Sequence, residues 1–251
     1  MLIVERQQRL LGMLRERRTA DLDALAGALD VSVSTVRRDL EALEEEGLVE
    51  RTHGGAIYRG DQRLVMNERM RRHVDQKRAI GRYAAGLVEP NMTVILDGGS
   101  TVLYTAQQIA VRPIQVVTTS LHVANVFADD EEVELMLVGG NLYPRSGVTV
   151  GPIATRCLAD LHGDLLLFSL AGIYDHAGYN QNMAMAEVER VMMRQAARAM
   201  LLMDSSKFGR KSLARVCDVG EVDAVVSDAE LDADWQENLG ERLIITQPTH
   251  P

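Results

Sequence analysis

Two groups of residues in this chain have types and spacings suited to chemistry. The first is Ser32, Ser34, Thr35, Arg37 and Arg38, within seven consecutive positions. Hydroxyl donors beside two guanidinium forks suit the phosphates and base edges of a nucleic-acid duplex. Arg51, His53, Gly54 and Gly55 follow shortly after, and the paired glycines permit a tight turn able to lie close to a phosphate backbone. Taken alone, Arg37 and Arg38 read as a solvated helix face. The second group is spread over Asp97-Gly98-Gly99-Ser100-Thr101, Thr118 with Ser120, Gly139-Gly140, and Asp204-Ser205-Ser206-Lys207. Glycines let backbone N–H groups approach an anion, hydroxyls add donors, and a helix N-terminus adds positive potential. Lys207 supplies a cation, and Asp97 can accept hydrogen bonds from sugar hydroxyls. A lone Gly-Gly-Ser-Thr turn or a lone lysine is ordinary. The set of four points to a small phosphorylated, hydroxyl-rich ligand.

The first group needs a short rigid frame, and the surrounding sequence supplies one. Leu22, Leu25, Ala26 and Leu29 form an apolar stripe, predicting a helix over 21–29. A break at Asp30-Val31 precedes a second helix, capped by Ser32 or Ser34, with Val36, Leu40 and Leu43 inward and Gly47 at its end. Short strands over 48–51 and 56–58 flank the turn Thr52-His53-Gly54-Gly55. Helix, turn, helix and wing in this order predict a winged helix-turn-helix whose recognition helix presents the first group outward. The second group needs a sheet. Helices are expected over 77–87, 100–109, 120–127, 152–161 and 183–197. Strands are expected over 93–96, 114–118, 133–138, 165–170, 199–203, 222–226 and 243–245. Such alternation predicts an α/β domain with a mostly parallel sheet covered on both faces. The glycine-rich and polar residues then fall at carboxyl ends of strands, where such sheets bind ligands. The expected organisation is a DNA-binding domain over 1–58, a linker over 59–76 bearing Arg59, Arg63, Arg69, Arg71 and Arg72, and a domain over 77–251 for effector binding and oligomerisation.

Composition narrows the classes. The chain has 251 residues, 46% of them hydrophobic, enough for two folded domains. Its net charge of −9 is unevenly spread. Residues 1–60 hold nine basic and eleven acidic side chains, and residues 83–251 hold eleven against twenty-two. Between them, 61–82 are basic. Acid within the first domain gathers at Glu44-Glu45-Glu46, so affinity for DNA per monomer should be modest and paired half-sites should supply the rest. No secretory signal opens the chain, and the most apolar run, 165–174, is too short to span a bilayer; a cytoplasmic protein without a membrane partner is expected. Cys157 and Cys217 lie outside any CxxC pattern and are expected as reduced buried thiols. The six histidines form no HxH or HExxH pair, and neither GxxxxGK[ST] nor GxGxxG occurs, so no metal or cofactor is expected.

The chain resembles the DeoR family of bacterial transcription regulators over about residues 3–245. The resemblance rests on Arg6-Gln7-Gln8-Arg9-Leu10, on Ser32-Val33-Ser34-Thr35-Val36-Arg37-Arg38-Asp39-Leu40, and on Arg51-Thr52-His53-Gly54-Gly55-Ala56. In the larger domain it rests on 97–101, Thr118 with Ser120, Gly139-Gly140, Gly147 with Gly151, Gly172, Ala186-Glu187-Val188 and 204–209. It implies a Rossmann-like α/β sensor domain similar in fold to ribose-5-phosphate isomerase. It also implies binding of double-stranded operator DNA, most often as a repressor of carbohydrate genes, under control of a phosphorylated sugar or sugar acid, in a dimer or tetramer. Thr119, Glu189 and the stretch 169–172 depart from the family pattern. Residues 178–182 fall where the family places ligand-discriminating side chains. A second reading is an isomerase-like enzyme with an accessory DNA-binding domain. In it Glu187 and Lys207 would serve as base and electrophile of an aldose–ketose proton shift.

Overall fold

The computed structural model describes residues 3–17, 19–45, 48–58 and 66–247. The chain separates into two compact units, Met1–Arg72 and His73–Pro251. The expected helix end at Gly47, the acid at Glu46, and Arg59 and Arg63 of the expected linker lie outside the described residues.

In the smaller unit, α1 (Ile3–Arg17), α2 (Leu22–Leu29) and α3 (Val33–Glu45) pack together. Asp21 starts α2, its carboxylate accepting from the Ala24 N–H at 2.7 Å. Asp30 ends α2 in the left-handed conformation at φ 52°. Leu10 and Leu14 of α1, Leu25 of α2 and Val36 and Leu40 of α3 are wholly buried. The wing strands are β2 (Val49–Arg51) and β3 (Gly55–Tyr58). A third strand not expected from the sequence, β1 (Thr19–Asp21), pairs antiparallel with β3, giving the order β1-β3-β2. Within the stretch expected as linker, α4 (Met66–Met70) is a short helix.

The larger unit begins with α5 (Val74–Ala85). A seven-stranded sheet follows, built from β4 (Thr93–Leu96), β5 (Ile114–Thr118), β6 (Val133–Leu137), β9 (Gly163–Phe168), β12 (Ala196–Leu202), β14 (Ala224–Asp228) and β15 (Leu243–Thr246). The order is β15-β14-β12-β9-β4-β5-β6, and every pairing is parallel. Covering helices are α5, α6 (Ser100–Ala106), α7 (Leu121–Phe127), α8 (Pro152–Ala159), α9 (Met183–Gln195) and α10 (Ala233–Leu239). Burial on both faces explains why β9 reads as an unbroken apolar run: Leu165, Leu166, Leu167 and Phe168 are all at most 1% exposed.

Two antiparallel additions were not expected. One is the hairpin β7 (Asn141–Tyr143) and β8 (Val148–Val150). The other is a sheet of β10 (Gly172–Tyr174), β11 (Ala177–Asn180) and β13 (Ala214–Asp218). Each holds strands of only three to five residues, too short to show period-two alternation. Cys217 is buried as expected, and burial first, then the acids Glu221, Glu189 and Asp218, pushes its thiol up to about 12. Cys157 departs from expectation: it is exposed on α8.

Candidate functional site

The helix pair presents its polar residues as expected for a groove reader, with Ser32 as the expected cap and two differences of role, at Arg51 and Gly55. Ser34, Arg37 and Arg38 are exposed on α3, and Thr35 is half-buried. Ser32 caps the helix: its hydroxyl accepts from the Thr35 N–H at 3.2 Å and lies 2.8 Å from the hydroxyls of Ser34 and Thr35. Arg51 is exposed but paired within the unit. Its guanidinium meets Glu44 at 2.7 Å and Glu41 at 3.5 Å, and its N–H donates to Glu44 at 2.8 Å. That N–H first, with the guanidinium, holds the Glu44 carboxyl below its usual range. Gly55 is buried, and a Cβ there would lie 2.2 Å from the Ala20 carbonyl oxygen. Its need for glycine therefore comes from the approach of β1. His53 and Gly54 remain exposed at the wing tip, and a Cβ on Gly54 would meet open space.

One residue of this frame carried a signal the sequence reading did not use. Asp39 lies in the recognition helix among the arginines, yet it is 3% exposed. Arg6 of α1 grips both its oxygens, Nε at 2.5 Å and a terminal nitrogen at 3.0 Å. This fork sets the rotation of α3 against α1, which turns Arg37 and Arg38 outward.

In the larger unit, the strand order makes the geometry. From β4 the chain moves outward through β5 to β6, then returns to β9 on the opposite side of β4. The reversal between β4 and β9 is a topological switch point, where open parallel sheets hold ligands. Asp97 stands at the end of β4 and Ser169 at the end of β9, and the Ser169 N–H donates to the Asp97 carboxylate at 3.4 Å. A Cβ on Gly99 would lie 2.8 Å from the Ser169 Cβ, so the two strand ends touch through a glycine. In the sequence Ser169 stands out only as part of the stretch 169–172 that departs from the family pattern. The strand was expected to run to Leu170, but β9 stops at Phe168, and Ser169 beyond it turns its hydroxyl to the Met203 sulfur at 3.9 Å.

The other expected residues do not all gather there. Gly98, Gly99, Ser100 and Thr101 are buried, and a Cβ on Gly98 would lie 2.1 Å from Cγ1 of Val148 in β8. Thr118 and Ser120 are also buried. The Thr118 hydroxyl donates to the Leu96 carbonyl at 2.7 Å and accepts from the Ser120 N–H at 3.0 Å. The Ser120 hydroxyl accepts from the Val123 N–H at 3.3 Å and so starts α7. These two hydroxyls hold the strand ends together. Gly139 and Gly140 follow β6, and Gly140, at φ 152°, passes the chain under β8, where a Cβ would meet the Val150 carbonyl oxygen at 2.8 Å. Four strand spacings, roughly 19 Å, separate β6 from β12 in this order. That is too wide for one small ligand to touch both Gly139-Gly140 and Lys207. Glu187 is exposed on α9. Of the expected discriminating stretch, Asn180 is buried and donates to Glu189, and Asn182 caps α9 through the Ala184 N–H at 2.9 Å.

Lys207 lies after β12, two strands from β4, in a turn that is half-buried. The turn is pinned at both ends: the Lys207 N–H donates to the Asp204 carbonyl at 3.0 Å, and the Ser205 N–H donates to the Asp228 carboxylate at 2.8 Å. Asp204 is 1% exposed. Burial alone would push its carboxyl up. The charge of Lys207, the Ser206 hydroxyl and the charges of Lys77 and His73 outweigh burial and hold it below the usual carboxylate range. Among the described residues no group of three or more His, Cys, Asp or Glu is placed to hold a metal ion. Among the described residues no helix is long and apolar enough to cross a membrane.

Comparison with known proteins agrees with both halves of this geometry. Residues 6–62 match the DeoR-like helix-turn-helix domain, and residues 72–229 match the DeoR C terminal sensor domain. The chain is 34% identical over 229 residues to the L-fucose operon activator of Escherichia coli, covering 89% of this chain and 94% of that protein. It is 30% identical to the HTH-type transcriptional regulator GolR of Listeria innocua, covering 90% and 91%. It is also 30% identical to the HTH-type transcriptional repressor GlcR of Bacillus subtilis, covering 97% and 96%. Among solved structures, ribose 5-phosphate isomerase A of Methanocaldococcus jannaschii is similar over 54% of each chain, at 15% identity and a TM-score of 0.39. With a winged helix-turn-helix, a parallel-sheet sensor unit and relatives of this kind along nearly its whole length, the chain belongs to the DeoR family of DNA-binding transcription regulators.

Proposed function

We propose that this regulator controls a carbohydrate operon and that a phosphorylated sugar or sugar acid, bound at the β4–β9 switch point, sets its grip on operator DNA. The observation that carries the reading is the contact of two strand ends at the switch point. Asp97 and Ser169 meet across the reversal of strand order, and Lys207 stands one strand beyond β9. Asp97 reads a sugar hydroxyl, the N–H groups of 98–101 face the anion, and Lys207 supplies the cation. Val148 covers Gly98, so the hairpin β7–β8 must yield as the ligand seats. Operator contact runs through Ser34, Thr35, Arg37 and Arg38, with His53 and Gly54 at the wing. The relatives include an operon activator and a repressor, so their names support sugar-operon control of either sign. We assign repression relieved by the effector. Glu187 is solvent-facing while Lys207 is half-buried beside Asp204, which favours a sensor over an isomerase.

The site carries its own reporter. Trp235 is the protein's single tryptophan, and it meets the ring of Phe208, next to Lys207, edge-on at 5.5 Å. Titration with ribose 5-phosphate, glucose 6-phosphate, fructose 6-phosphate and glycerol 3-phosphate should change its emission for at least one compound. The same compound should release operator DNA in a gel shift, and the unphosphorylated sugar should do neither. Equal response to sugar and sugar phosphate would overturn the phosphate assignment, and isomerised product would restore the enzyme reading. We also propose self-association through the larger unit in the cytoplasm. Edge strand β6 exposes Met136 and Leu137, 43% each, and Leu142 of β7 is 50% exposed. Sedimentation at micromolar concentration showing only a species near 27.7 kDa would contradict it.

A further inference from the structure

The hairpin β7–β8 belongs to neither of the larger unit's other sheets. Among the described residues its strands pair with each other, and a single bridge joins Val148 to Ser120. A two-stranded hairpin is marginal on its own, so its anchors decide where it lies. These sit on the β8 side. The Thr149 N–H donates to the Thr119 carbonyl at 2.8 Å, and the Leu121 N–H donates to the Gly147 carbonyl at 2.8 Å. The Thr149 hydroxyl donates to the Val138 carbonyl at 2.6 Å and lies 3.3 Å from the Thr119 carbonyl oxygen. The last anchor is apolar: Val148 is 3% exposed, and its Cγ1 fills the space that a Cβ on Gly98 would need. On the β7 side Asn141 and Leu142 face solvent. Both ends of the hairpin are glycines with positive φ, Gly140 at 152° and Gly151 at 92°. Such residues are suited to absorb backbone rotation. A small element with few anchors between two such ends is drawn from the low-stability part of a fold.

We propose that residues 140–151 form an autoinhibitory strap. Val148 holds the place over Gly98 that the effector's anionic group takes, and the strap swings out about Gly140 and Gly151 as the effector seats. This rests on the reading of 98–101 as the turn that faces the anion. Opening breaks the Thr149–Thr119 and Leu121–Gly147 bonds and brings Val148 into water. The effector must supply that free energy, so its apparent affinity is its intrinsic affinity reduced to the fraction of molecules already open. Loosening the strap therefore tightens ligand binding, the opposite sign to removing a ligand contact.

The test uses full-length protein and whichever sugar phosphate of the panel above changes Trp235 emission. Val148→Ala should bind that compound about four- to fifteenfold more tightly, because one or two methyl-sized groups fewer must be exposed. Thr149→Val keeps the shape and removes the hydroxyl, and should tighten binding by about two- to tenfold, the worth of one hydrogen bond. In the wild type, saturating ligand should speed hydrogen exchange at the Thr149 and Leu121 amides, which lose their carbonyl partners, while the amides of β4 and β5 stay protected. A purely structural hairpin gives the reverse: weaker binding in both variants and slower exchange when ligand is present. Either variant binding no more tightly than wild type, or exchange at those two amides that does not quicken, would overturn the strap and leave the effector site standing. If no panel compound moves Trp235 in the wild type, the effector reading fails and the strap falls with it.

Discussion

The two functional regions are built in opposite ways. The recognition helix is finished before any partner arrives. The residues proposed to contact DNA lie mostly on one helix, with Ser34, Arg37 and Arg38 exposed, and Arg6 locks that helix in orientation through buried Asp39. The effector region draws on strand ends far apart in sequence, and several of the residues meant for the ligand are buried beneath Val148 or spent on holding strands together. A surface that must read a rigid duplex benefits from preorganisation. A sensor must have two states, so a closed crevice able to open suits it better than a permanently open one.

Five experiments would break or sharpen this contrast. The largest effect should come from the preorganised side. Arg37→Ala and Arg38→Ala should each cost about 1–3 kcal/mol of operator affinity where the guanidinium is bidentate to guanine. Circular dichroism should not change, because both side chains are exposed. A gel shift indistinguishable from wild type would sink the assignment. Next is Gly55→Ala, which places a Cβ against backbone rather than a pliable side chain. Overpacking of this kind costs about 1–3 kcal/mol. The loss should appear as earlier melting of the smaller unit, with the Trp235 ligand signal intact. Intact melting would mean that β1 can move aside.

On the sensor side, Lys207→Ala should weaken sugar-phosphate binding by about 1.5 kcal/mol, the low end for a hydrogen bond to a charged group, because Asp204 already competes for the lysine. Calorimetry giving wild-type affinity would remove Lys207 from the site. The same carboxylate makes the unit acid-sensitive. Asp204 has its folded pKa below the unfolded value of about 3.9. Its contribution is therefore complete above that pH and drains away as pH falls through the folded value. Asp204→Asn should flatten the acid limb of the larger unit's stability curve and leave the neutral region less stable than wild type. The smallest effect should be Arg51→Ala. Arg51 is 39% and Glu44 36% exposed, so the pair is screened and worth about 0–1 kcal/mol. Operator affinity should fall less than for Arg37→Ala. An equal fall would return Arg51 to the DNA.

Local signals made much of this architecture legible in the amino-acid order. The apolar stripe at 22, 25, 26 and 29, the cap at Ser32, and the runs over 93–96 and 114–118 each declare one element through residues at most a few turns apart. The expected ranges for β4 and β5 coincide with the structure. The residues of α3 proposed for DNA contact share this locality, so the exposure of Ser34, Arg37 and Arg38 could be read directly from the helix face. What only the tertiary structure decided is what depends on distant partners. The order of the seven strands put the reversal at β4–β9 and left Gly139-Gly140 far from Lys207. An early end to β9 left the Ser169 N–H to meet Asp97. Strand β1 claimed Gly55, α1 claimed Asp39, and β8 closed over Gly98. Periodicity reports which way a side chain faces, whereas burial, charge pairing and close approach are set by what the rest of the chain brings to that face.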